Sequence, residues 1–152
     1  MTSNNLLNLA KIGQLDPVPL SVELVKRMLA SAKQRLRDAE FTQNSPETRF
    51  DCAYTAIRMV ADIGLHLNGF RTSTSKPGHH QTAVQSLPYT LGVDAATVRI
   101  LDGLRKQRNL SDYDGEPVTD AALQECLRQA QAIMTRIDSL MKENPALAGA
   151  GG

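Results

Sequence analysis

Ser45-Pro46-Glu47-Thr48-Arg49-Phe50-Asp51-Cys52-Ala53-Tyr54-Thr55-Ala56-Ile57-Arg58-Met59-Val60-Ala61-Asp62-Ile63-Gly64-Leu65-His66-Leu67 is the stretch on which the fold turns. It opens as a helix should. Ser45 is suited to cap the first free amides, Pro46 suits the first helical position, and Glu47 meets the positive end of the helix. Phe50, Ala53, Tyr54, Ile57, Val60, Ala61 and Gly64 share one face, while Cys52, Ala56, Met59 and Ile63 form most of another. Only a narrow polar stripe remains, made of Asp51, Thr55, Arg58 and Asp62. A helix this apolar is a central one, touched on several sides. Its small residues allow neighbours to come close.

The segments on either side read as helices too. Upstream, Ser21 opens a helix in which Val22, Val25, Leu29, Ala32, Leu36 and Ala39 repeat at heptad-like spacing. Lys26, Arg27, Lys33, Arg35 and Arg37 fill its other side, either as a nucleic-acid face or as an ordinary solvated one. Before it, Leu6 to Ile12 is a short apolar piece stopped by Gly13. Asp16-Pro17-Val18-Pro19 follows and cannot be helix interior, because proline lacks an amide donor and restricts its predecessor. Downstream, Arg71 to Gly78 reads as a loop, and a helical stretch begins near His79-His80, broken by Pro88 and Gly92. Asp94 caps a further helix with Val98, Leu101 and Leu104 inward and Arg99, Arg105 and Lys106 outward. That pattern breaks over Asn109 to Pro117, which reads as a polar turn. Thr119-Asp120 starts the last helix, with Leu123, Leu127, Ala130, Met134, Ile137 and Met141 on one face. No strand alternation and no internal repeat is visible. The expectation is an all-α, up-and-down bundle of four to five principal helices spanning 20–143. An arm with a short helix covers 1–19, and 144–152 is expected to be a disordered tail.

Composition narrows the function classes. The 152 residues are 41% hydrophobic and 22% charged, with a net charge of +1, so no global field points to nucleic acid or an anionic membrane. No apolar run approaches the roughly 20 residues needed to span a bilayer, and the polar start is not a secretory signal. Cys52 and Cys126 sit in helical patterns and far apart, which reads as buried free thiols in a reducing cytoplasm. Aromatic residues are only 4% and tryptophan is absent, so the core is aliphatic. His66, His79 and His80 are the only histidines, and no HExxH or CxxC accompanies them, so neither a metal nor another cofactor is expected. There is no phosphate-cradling glycine loop and no nucleophile elbow.

One segment has residue types suited to a ligand: Leu104-Arg105-Lys106-Gln107-Arg108-Asn109-Leu110-Ser111-Asp112-Tyr113-Asp114. On a helix, Arg108 and Asp112 share a face at i,i+4, as do Asn109 and Tyr113. Arg108 is able to hold a phosphate bidentately with a tyrosine hydroxyl alongside. It is equally able to cap helix carbonyls with Asp112 as its salt-bridge partner.

Here the chain resembles the HEPN family (higher eukaryotes and prokaryotes nucleotide-binding), whose members are helical bundles. Their motif is Arg, often followed by a polar residue, with His four to six residues on. Arg108-Asn109 and Tyr113 stand in that place. The stretch Arg49 to Ala56 and the start Gly78-His79-His80 also fit, and the likeness covers about residues 20–142. In catalytic members Arg and His from two protomers line a composite cleft and promote attack by an RNA 2′-hydroxyl. Tyr113 departs from the motif, and a tyrosine with a pKa of about 10 is a poor general base at neutral pH. The resemblance therefore implies a nucleotide- or RNA-binding domain that pairs as a homodimer. A nucleotidyltransferase is its implied partner, in a toxin–antitoxin-like or regulatory system. Ligand-binding candidates are Arg105, Arg108, Asn109, Tyr113 and Asp51. If the chain were a metal-independent endoribonuclease, Arg108, Asn109, Asp112 and Tyr113 would be the catalytic candidates. A bundle serving only protein–protein interaction is the third reading.

Overall fold

A computed structural model describes residues 3–144 and Leu147. Among them the order is α1 (Asn4–Lys11), β1 (Leu15–Pro17), α2 (Val22–Glu40), α3 (Pro46–Leu67), β2 (Phe70–Thr72), α4 (His79–Gln85), α5 (Leu87–Thr90), α6 (Ala95–Asp114) and α7 (Asp120–Glu143). The protein is an all-α helical bundle, as its periodicities predict. No described helix is long and apolar enough to cross a membrane. Most of the disordered tail expected over 144–152 lies outside the described residues. Within it, Leu147 is buried.

Helix starts stand where the capping residues put them. Ser21, Ser45, Asp94 and Thr119 each accept a hydrogen bond from the backbone amide three residues on. Such a cap satisfies one of the amides a helix leaves free, worth about 1 kcal/mol. Helix α3 is central and packs against α2, α4, α5, α6, α7 and β2. Phe50, Ala53, Ile57, Val60, Ala61, Ile63 and Leu65 are each at most 1% exposed. Arg49 Nε donates to the Ala39 carbonyl at 2.8 Å, tying the start of α3 to the end of α2.

Two expectations need correction. The absence of any sheet is overturned by a small antiparallel pair, β1 with β2, in the register Leu15↔Thr72, Asp16↔Arg71 and Pro17↔Phe70. Strands of three residues are too short to show alternation, and Pro17 only has to avoid helix, which an edge strand allows. The pairing docks the N-terminal arm: Leu6 and Leu15 are in the core, and the first residues of the expected loop, Arg71 and Thr72, belong to β2. The second correction is the polar turn over Asn109 to Pro117, because α6 continues through Asp114. Gly115 ends it at φ 69°, and the amides of Gly115 and Glu116 both reach back to the Leu110 carbonyl, that of Glu116 at 3.2 Å. The last turns of α6 carry no apolar stripe because they have little to pack against. Only Leu101 and Leu104 are buried along its 20 residues, and Val98 is half-buried.

Gly64 lets α5 lie against α3. A Cβ there would come 2.9 Å from Thr90 Oγ1 and 3.1 Å from Thr90 Cβ, both on a stiff β-branched side chain. Gly103, by contrast, has nothing within 4 Å of the place a Cβ would take. We expect Gly64→Ala to lose stability by about 1–2 kcal/mol despite its better helix propensity, because overpacking outweighs that gain. Gly103→Ala should gain up to about 1 kcal/mol. Urea unfolding of both variants, read by circular dichroism, checks the opposite signs.

Candidate functional site

The polar stripe of α3 recurs every three to four residues, so its members line up along one side of the helix. Asp51, Arg58 and Asp62 follow one another along it, with Tyr54 of the adjoining apolar face and His66 in the same line. Across from it stand α6 with Arg105 and Arg108, α4 with His79 and His80, and β2 with Arg71. All three histidines of the chain are on this side.

At one end, Arg108 Nε donates to Asp51 Oδ1 at 2.8 Å, and Asp112 Oδ2 is 3.8 Å from the same nitrogen. The Arg108 guanidinium carbon lies 5.6 Å from the centre of the Tyr54 ring, a cation–π contact. The ion pair expected within α6 is therefore secondary to one that bridges α6 to α3. These contacts run through Nε, and the Nη groups make no hydrogen bond to another described residue. The Arg108 side chain is 29% exposed.

The other candidates from the sequence separate. Arg105 Nε bonds Asp102 Oδ1 at 3.1 Å within its own helix, and Lys106 Nζ meets Asp102 Oδ2 at 3.3 Å. Asn109 is half-buried, and Tyr113 is 84% exposed. On a continuous helix five residues place Tyr113 about 140° around the axis from Arg108, so the two diverge within one chain. Arg108, Asp51 and Asp112 are brought together; Tyr113 is not.

The other end of the stripe was missed in the sequence as a site. Arg58 Nη1 lies 3.1 and 3.0 Å from the two ring nitrogens of His80, and the His79 and His80 rings are 4.0 Å apart. Only a neutral imidazole accepts from a guanidinium. Partial burial, then Arg58, His79 and Arg108, push the His80 pKa down to about 4. His66 is likewise lowered, by burial and then by Arg71. Burial pushes the Asp62 carboxyl up to about 6, against the pull of Arg58 and His79. Three buried side-chain atoms lack a partner among the described residues, and two of them, Arg58 Nε and His66 Nδ1, belong to this stripe. The usable signal was helical spacing: Arg58, Asp62 and His66 stand four residues apart.

Elsewhere, both cysteines are free, Cys126 buried and Cys52 half-buried. Burial, with Asp51 and Glu125 adding to it, raises the Cys126 thiol to about 12, so it stays protonated. Among the described residues no group of three His, Cys, Asp or Glu side chains is placed to hold a metal ion. The chain matches no family model, no curated protein and no solved structure.

The Asp62 shift has a consequence for stability. A carboxyl with a folded pKa of about 6 and an ordinary value of 3.8 keeps its proton longer in the native state than in the unfolded one. Stability therefore falls as pH rises from about 4 to 6 and stays lower above that. We expect Asp62→Asn to stabilise the protein at pH 8 by up to about 3 kcal/mol and to be near neutral at pH 4. Thermal melts across that range check it.

Proposed function

We propose that the chain is a HEPN-like nucleotide- or RNA-binding domain that acts as a homodimer, with a nucleotidyltransferase as partner in a toxin–antitoxin-like or regulatory system. The observation that carries the reading is Arg108 at the crossing of α3 and α6. It is held through Nε by Asp51, lies against Tyr54, and makes no hydrogen bond through Nη to another described residue. A guanidinium fixed in this way is prepared for bidentate contact with a phosphate, and its orientation is already set before binding. Asp51 acts as the anchor of that arginine rather than as a direct ligand contact. Leu110 and Tyr113, exposed at 44% and 84% and one turn apart on α6, support pairing through this helix.

A second reading, the metal-independent endoribonuclease, draws on the same helix. Arg108 and Tyr113 diverge in one chain, so any composite cleft needs a second copy to bring a Tyr113 toward an Arg108. Tyrosine remains a poor base there. Binding is the reading favoured.

Arg108→Ala should cost no more than about 1 kcal/mol, since a partly exposed ion pair contributes little. The melting temperature should fall by only a few degrees, whereas binding of a short oligoribonucleotide should weaken at least tenfold in a fluorescence-anisotropy titration. Binding at the original affinity in a folded Arg108→Ala variant would exclude the site. Tyr113→His should raise ribonuclease activity only if the second reading holds.

A further inference from the structure

A cavity of about 240 Å³ opens where α3, β2 and α4 meet, lined by Met28, Asp62, His66, Arg71, Thr72, Thr74, His79 and His80. We propose that this cleft is a second site, distinct from Arg108, which takes a terminal phosphate monoester; it rests on the reading of the ligand as a nucleotide or RNA.

Donors dominate the wall. Arg71 contributes a guanidinium from β2, Thr72 and Thr74 contribute hydroxyls, and α4 contributes the two imidazoles. Behind His80 stands Arg58, hydrogen-bonded to it and carrying a buried Nε with no acceptor. His66, in the wall itself, has a buried Nδ1 without a partner. Neither Arg58 nor Arg71 has a described carboxylate at ion-pairing distance, whereas Arg105 pairs with Asp102 and Arg108 with Asp51 and Asp112. Asp62 is the only acid in the lining; burial raises its carboxyl to about 6, so it is a protonated donor only in mildly acidic solution and a charge that opposes an anion above that. An incoming oxyanion would meet the Arg71 guanidinium, the threonine hydroxyls and the imidazole N–H groups of the wall, with the Arg58 charge behind His80 adding to the attraction.

The ligand class follows from size and charge. Ligand pockets that enclose drug-sized molecules run from about 300 to 1,000 Å³, so this smaller cleft suits a phosphate with part of the sugar that bears it. A terminal monoester offers three oxygens and up to two charges, whereas an internal phosphodiester offers two oxygens and one charge and carries chain on both sides. The small volume and the several converging donors favour the terminal group.

Arg71 is exposed, so its removal leaves packing intact. The probes are inorganic phosphate, a tetra-adenylate with a terminal phosphate at either end, and the same tetramer with hydroxyl ends. Phosphate should shift the ring proton resonances of His79 and His80. A phosphorylated tetramer should bind at least tenfold more tightly than the hydroxyl one. Arg71→Ala and His79→Ala should each remove that difference, Arg108→Ala should weaken both tetramers alike, and Asp62→Asn should tighten phosphate at pH 8. Equal affinity for all tetramers, or a preference that survives Arg71→Ala in a folded protein, overturns the proposal while leaving the RNA reading in place. Should no tetramer bind, the RNA reading falls. The phosphate arm then decides the cleft: histidine shifts abolished by Arg71→Ala support it, and their absence overturns it.

Discussion

The burial of α3 on nearly all sides is the constraint from which the rest of the molecule follows. A 22-residue helix packed against five other helices and a strand has one narrow track left for polar side chains. Every group on that track sits in a partly desolvated environment, where a missing hydrogen-bond partner costs more than it would on an open surface. Asp51 escapes the cost by pairing with Arg108 of α6. Arg58 does so only in part, by donating to His80. Asp62 makes no ion pair or hydrogen bond of that kind among the described residues, and burial, outweighing the pull of Arg58 and His79, holds its proton on to a higher pH. The two ends of the track thereby differ, one with a held arginine and the other with buried polar atoms that lack a partner among the described residues.

Helix α6 behaves in the opposite way. It buries only two leucines, and its C-terminal half extends beyond the apolar contact that would ordinarily justify it. Its regularity there rests on the amides at Gly115 and Glu116 that close on the Leu110 carbonyl, on the Asp102 pairs with Arg105 and Lys106, and on one tertiary tie, Arg108 to α3. Such a helix keeps one side free, and the proposed pairing with a second copy uses that side. The small β1–β2 pair serves a different end. It fixes the arm whose Leu6 and Leu15 complete the core, and it sets Arg71 and Thr72 at the mouth of the cleft.

Helix class, the four capped starts and the central place of α3 were all legible in the sequence, because they depend on spacing along the chain. Capping involves atoms three residues apart, and the apolar faces repeat with the helix period. Arg108 and Asp51 stood out as residue types. Their pairing did not, since it spans 57 positions and depends on how α6 crosses α3. The three-residue strands carried too few residues for a pattern, and the end of α6 lacked the apolar stripe by which a helix is read. His79 and His80 looked like a helix start, and only packing set them against Arg58. Local chemistry is written in neighbouring residues; the cleft exists only where distant segments exclude water together.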